Sequence, residues 1–169
     1  MSMFPIASTT VGSGGASSIT FSSIPQNFTH LQLRFFARST GNGAGGNMSV
    51  NYNGDGGNNY TWHNVGGDGG SAFSASIGAS NTSANFGWNA GNNQTSGVFG
   101  VGIVDILDYT NTNKYKVSRS LNGIDNNGSG LTGIWSGLWL STAAITSIYV
   151  NVNGFAQYST VQLYGITTA

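Results

Sequence analysis

Turn-forming clusters cut this chain into short pieces. Runs rich in Gly and Asn recur at 41–46, 53–57, 66–70 and 125–130, and no segment longer than ten residues shows helical spacing with caps. What the pieces show instead is alternation. In residues 29–38, Leu31, Leu33, Phe35 and Ala37 point one way, and His30, Gln32, Arg34 and Arg38 the other. A period of two is that of a strand with one face buried. Phe36 breaks the polar side, so that side is expected to be partly covered as well.

The same reading carries along the chain. Residues 18–22 make a short strand, and 47–52 alternate Met48, Val50 and Tyr52. Residues 60–63 are short and aromatic, and 71–80 alternate Phe73, Ala75 and Ile77. Residues 98–107 are apolar on both faces, which predicts a strand covered on both sides. In 115–121, Tyr115, Val117 and Leu121 are expected inward against outward Lys116, Ser118 and Ser120. Residues 131–140, 145–152 and 160–166 complete the set, while 83–96 read as a loop anchored by Phe86 and Trp88. Strands of this length, separated by such turns, predict an all-β chain: a single-domain antiparallel β-sandwich, jelly-roll-like, of about 8–10 strands. The sandwich is expected over residues 11–169, behind an N-terminal arm at 1–10 in which Phe4, Pro5 and Ile6 are candidates to anchor the domain to a partner.

Composition narrows the function classes. Charged residues are 6% of the chain, five basic and five acidic, with no Glu; about 25% is usual. No basic stripe exists to neutralise phosphates, and no basic amphipathic helix to lie on a membrane, so neither nucleic acid nor membrane is an expected partner. Gly, Ser, Thr and Asn make up about half of the chain and supply uncharged polarity. Disorder is not expected, because 38% of the residues are hydrophobic and 12% aromatic. With no Cys there is neither a disulfide framework nor a thiolate metal site. The opening residues carry no export signal of the usual kind.

Candidate chemistry is sparse. The five acids are Asp55, Asp68, Asp105, Asp108 and Asp125. Asp105 and Asp108, three positions apart on a strand, point to opposite faces and read as partners for Arg119, Lys114 and Lys116 rather than as a hydrolytic pair. His30 and His63 sit in no nucleophile motif. Asn51-x-Asn53-x-Asp55-Gly56 matches the first half of a calcium loop, but position twelve is Trp62 where a Glu is needed, so the stretch reads as a hairpin turn. No catalytic residue, metal or cofactor is expected, and the chain is not expected to be an enzyme. Trp62 and Trp88, with neighbouring Asn, have the chemistry of a glycan contact. Trp135 and Trp139 share one strand face with Leu131 and read as core or oligomer contacts.

Three stretches carry a resemblance: residues 17–39 (SSITFSSIPQNFTHLQLRFFARS), 103–125 (IVDILDYTNTNKYKVSRSLNGID) and 145–166 (ITSIYVNVNGFAQYSTVQLYGI). They are similar to small virion proteins of tailed phages, common in cyanophages and other marine phages. The resemblance implies a jelly-roll decoration or fibre-head domain and brings no catalytic residues. The expectation is a capsid decoration (cement) protein, a homotrimer on the outer surface of the shell in contact with the major capsid protein. It would be made in the host cytoplasm and released by lysis. The alternative is a tail-fibre tip that recognises host surface glycans.

Overall fold

The computed structural model describes residues 2–42 and 44–168, and among these it has twelve strands and no helix. In chain order they are β1 (Ser2–Thr10), β2 (Ile19–Phe21), β3 (His30–Ala37), β4 (Ala44–Tyr52), β5 (Tyr60–Gly67) and β6 (Ala72–Asn81), then β7 (Ala84–Ala90), β8 (Gly100–Ile106), β9 (Lys116–Asp125), β10 (Gly130–Trp139), β11 (Ile148–Asn151) and β12 (Thr160–Thr167). They form two antiparallel sheets: an eight-stranded one in the order β1-β12-β3-β8-β9-β10-β5-β6, and a four-stranded one in the order β2-β11-β4-β7. The all-β sandwich is as expected. Of the strands β1–β4, β7, β8, β11 and β12, successive ones fall in different sheets except β4 and β7, which neighbour each other in the smaller sheet. The hairpins β5–β6 and β9–β10 extend the larger sheet beyond β8.

The core lies between the sheets. Leu31, Leu33 and Phe35 of β3, Val104 and Ile106 of β8, and Val161 and Leu163 of β12 come from the larger sheet. Met48, Val50 and Tyr52 of β4 and Ile148 and Val150 of β11 come from the smaller one. The alternation read in β3 and β4 holds residue by residue.

Three expectations are corrected. Residues 2–10 are no detached arm: they pair along their length with β12 as the edge strand of the larger sheet. Pro5 is tolerated there because an edge strand need not donate on both sides. Residues 83–96 are not simply a loop, since they contain β7, in which every residue is buried. A strand buried on both faces has no period of two to reveal it. The third correction concerns β9. Its alternation is real but inverted: Lys116, Ser118, Ser120 and Asn122 are buried, while Tyr115 just ahead of it, Val117 and Leu121 are exposed.

β7 gives the physical reason for the inversion. It pairs with β4 along one edge only. Its other edge lies against β9, whose side chains take the place of a missing strand. Ser120 Oγ donates to the Phe86 carbonyl at 2.8 Å, Asn122 Nδ2 donates to the same carbonyl at 3.4 Å, and the Trp88 N–H donates to Asn122 Oδ1 at 3.2 Å. Buried backbone groups need partners, so β9 must turn its polar side inward, which puts its apolar side out. β10 makes room for the close approach: a side chain at Gly133 would run into the Trp88 ring at 2.6 Å, and one at Gly137 into the Phe86 ring at 2.7 Å.

The same face of β9 supplies a second polar cluster. The Tyr52 hydroxyl and Ser118 Oγ share a buried hydrogen bond of 2.9 Å, and the Tyr52 N–H donates to the Tyr60 hydroxyl at 3.0 Å. Burial raises the Tyr52 pKa strongly and pushes that of Tyr60 up to about 12. An unfolded tyrosine ionises near pH 10. Stability is therefore expected to hold below pH 10 and to fall between 10 and about 12, by roughly 1.4 kcal/mol per pH unit for each tyrosine. Urea midpoints measured at pH 8, 9.5, 10.5 and 11.5 check this; equal midpoints across the series would contradict it.

Candidate functional site

Asp105 and Asp108, weighed in the sequence as a pair, each take part in structural contacts. Asp105 accepts from Gln32 Nε2 at 2.8 Å and pairs with Arg119 at 3.3 Å on the outer face of the larger sheet. Asp108 pairs with Lys114 at 2.8 Å, a contact that holds its carboxyl below the usual range. Its N–H donates to His30 Nδ1 at 3.0 Å. The two carboxylates thus have separate partners rather than one shared cluster, and Asp108 lies not on a strand but past the end of β8, with a φ of 47°. Lys116 joins neither: it is 1% exposed, and its ammonium donates to the carbonyls of Asn111, Lys114 and Thr142 at 2.6–2.9 Å. Desolvation lowers its pKa.

The calcium-like stretch is a turn. Asn53 and Gly54 have φ of 55° and 70°, and the Asp55 N–H donates to the Tyr52 carbonyl at 2.9 Å. That is a type I′ geometry. It joins strands of different sheets, so the expected hairpin is corrected to a crossover turn. Asp55 Oδ2 accepts from Trp139 Nε1 at 2.7 Å, and this bond, with those from the Gly57 N–H and Asn59, lowers the Asp55 pKa. Asn53 Oδ1 takes the N–H groups of Thr146 and Ser147. Among the described residues no group of three or more His, Cys, Asp or Glu could share a metal ion.

The two tryptophans weighed as glycan contacts end up in one aromatic stack, through a third. Trp62 lies 5.0 Å from Trp135, Trp135 lies 5.1 Å from Trp88, and Phe73 meets Trp88 edge-on at 5.3 Å. Trp88 is 8% exposed, so as a sugar platform it is corrected to a core residue. Trp62 is partly buried, its ring tilted 50° against that of Trp135. Trp135 and Trp139 are core, as read. The Nε1 atoms of Trp62 and Trp135 are buried without a partner.

Phe4, Pro5 and Ile6 sit on β1. Phe4 is 46% exposed beside Phe28, Pro5 is exposed, and Ile6 packs partly on the core. They form part of an edge strand rather than a free anchor.

The feature that stands out is the outer face of the larger sheet. The register sets Ile103 opposite Leu121, Leu121 opposite Ile134, and Ile134 opposite Val65. This makes an apolar row across β8, β9, β10 and β5. The four side chains are 40%, 61%, 55% and 55% exposed. One step along the strands, Phe36 and Val101 are paired and bare as well, Phe36 stacking on Phe99 at 4.8 Å. The strand expected to be covered on both sides is covered on one: Val104 and Ile106 are buried, Val101 and Ile103 are not. A groove of about 580 Å³, lined by Gly67, Val101, Thr132 and Asp125 among others, borders this face. The face could not be read from the sequence because it depends on the inversion of β9. The parity of β8, apolar on both sides, was the one available signal.

No known protein family, curated protein or solved structure matches this chain.

Proposed function

We propose that this chain is a structural part of a tailed-phage particle, a decoration protein that binds the outer surface of the capsid as a homotrimer and adds to shell stability. The observation that carries the reading is the bare apolar face across four strands of a chain with almost no charge. Contiguous apolar surface of this kind marks an interaction site, and its aliphatic side chains offer association rather than chemistry. The resemblance of residues 17–39, 103–125 and 145–166 to phage virion proteins supplies the setting. The major capsid protein is then the partner and the virion surface the location. The glycan-binding alternative loses support with Trp88 in the core. Quantitative mass spectrometry of purified particles tests the reading. Hundreds of copies per particle are expected; a handful would indicate a fibre tip, and absence from particles would end the proposal.

A further inference from the structure

We propose that the occupant of the outer face of the larger sheet is a second copy of this chain, centred on Leu121. The inference rests on the reading of the chain as an assembly protein and names the surface through which it assembles.

Three observations select the occupant. The first is area. Ile103, Leu121, Ile134 and Val65 lie side by side, with Val101 and Phe36 next to them, each between 40% and 61% exposed. Strands are about 4.8 Å apart, so the row alone runs about 14 Å across the sheet. Such a patch amounts to several hundred Å², at the upper end of what a monomer leaves bare. With its polar rim it approaches the roughly 800 Å² per partner of a stable interface.

The second is charge. The next row in register reads Gln32, Asp105, Arg119, Ser136 and His63, and its two charges are opposite in sign and neighbours. The Arg119 side chain is 72% exposed although it touches Asp105. A strongly acidic or basic partner would leave one of these charges opposed to its own sign. A copy of the same face brings both signs and can answer Arg119 with Asp105. Self-complementarity of this sort is what a symmetric homo-oligomer uses.

The third is shape chemistry. The face is a pleated sheet of apolar side chains, five aliphatic and one aromatic, with Gly123 near its middle, opposite Val101 and Thr132. Two such surfaces stacked as the sheets of a sandwich are, about 10 Å apart, would close a dimer, and three copies set around a threefold axis bury the same face against their neighbours. The six side chains offer no buried hydrogen-bonding group to orient a sugar.

Light scattering after gel filtration tests this with the intact protein and two variants. The wild-type chain, loaded at about 100 µM to favour association, is expected at two or three times its 17.5 kDa. Leu121→Asp and, on the neighbouring strand, Ile134→Asp each place a carboxylate in the row and are expected to bring the mass down two- to threefold, to the single chain. Circular dichroism should match the wild type, since both sites are solvent-exposed in the single chain. Tyr158→Asp, at a residue 67% exposed in the loop before β12, is the control and should leave the mass unchanged. A monomeric wild type, or an oligomer that survives both substitutions, would overturn the inference. Particle copy number is read separately. Few copies per particle together with an oligomer broken by Leu121→Asp would refute capsid decoration and leave the self-contact standing. Many copies with a monomeric wild type would do the reverse.

Discussion

Replacing Trp135 by Ala is expected to cost about 3–5 kcal/mol of stability, the range for removing a large buried aromatic side chain. Trp135 is 2% exposed and sits at the centre of the aromatic stack, between Trp62 at 5.0 Å and Trp88 at 5.1 Å. Its neighbours cannot collapse into the space. Trp88 is fixed by the Asn122 hydrogen bond to its backbone, and Trp62 by the pairing of β5 with β10 on one side and β6 on the other. Ring pairs of this kind add about 0.5–1.5 kcal/mol each beyond area. Trp62→Ala removes a ring from the less buried end of the same stack and should cost clearly less. Chemical denaturation of the two variants decides the point; equal losses would mean that Trp135 is not the keystone of the cluster.

Asn122→Ala is the second large effect, expected at about 2–4 kcal/mol. The side chain is 3% exposed and bridges the Trp88 N–H, the Phe86 carbonyl and the Gly133 carbonyl. Its loss leaves the Trp88 N–H of an edge strand without this partner and the Phe86 carbonyl with Ser120 alone, and a buried group left unsatisfied costs more than its hydrogen bond contributes net. The space opens beside Gly87, which has no side chain to fill it. Asn122→Leu, matched in size but unable to bond, should be nearly as damaging. If Asn122→Leu melts with the wild type, the free edge of β7 does not depend on β9.

These two residues show what the sequence could and could not reveal. Trp135 shares one face of its strand with Trp139 and Leu131, and these large side chains mark that face as the inner one. Asn122 is not legible. Period two in β9 defines two faces without saying which is inside, and hydrophobicity is the usual guide. The guide fails here because the partner of β9 is not a side-chain layer but the open edge of β7, which asks for donors and acceptors. β7 is not legible for a related reason: closed in on every side, it shows no alternation. β1 was hidden by its position, its half-exposed Phe4 and Ile6 reading as an arm before the register with β12 is known. The bare face follows from these hidden contacts. Ile103, Ile134 and Val65 each look like ordinary strand residues, and only the register places them in one row with Leu121.

The side of β9 that faces the core decides whether the apolar face exists, and the lack of Cys in the chain makes a direct measurement clean. Two single-cysteine variants, Ser120→Cys and Leu121→Cys, are labelled with a thiol reagent under native conditions across a range of protein concentrations. Cys at 120 is expected to stay protected throughout. Cys at 121 is expected to react fast in dilute solution and to become protected as the protein associates. A reactive position 120 with a protected position 121 in dilute solution would contradict the inversion of β9, and with it the apolar face on which the assembly role rests.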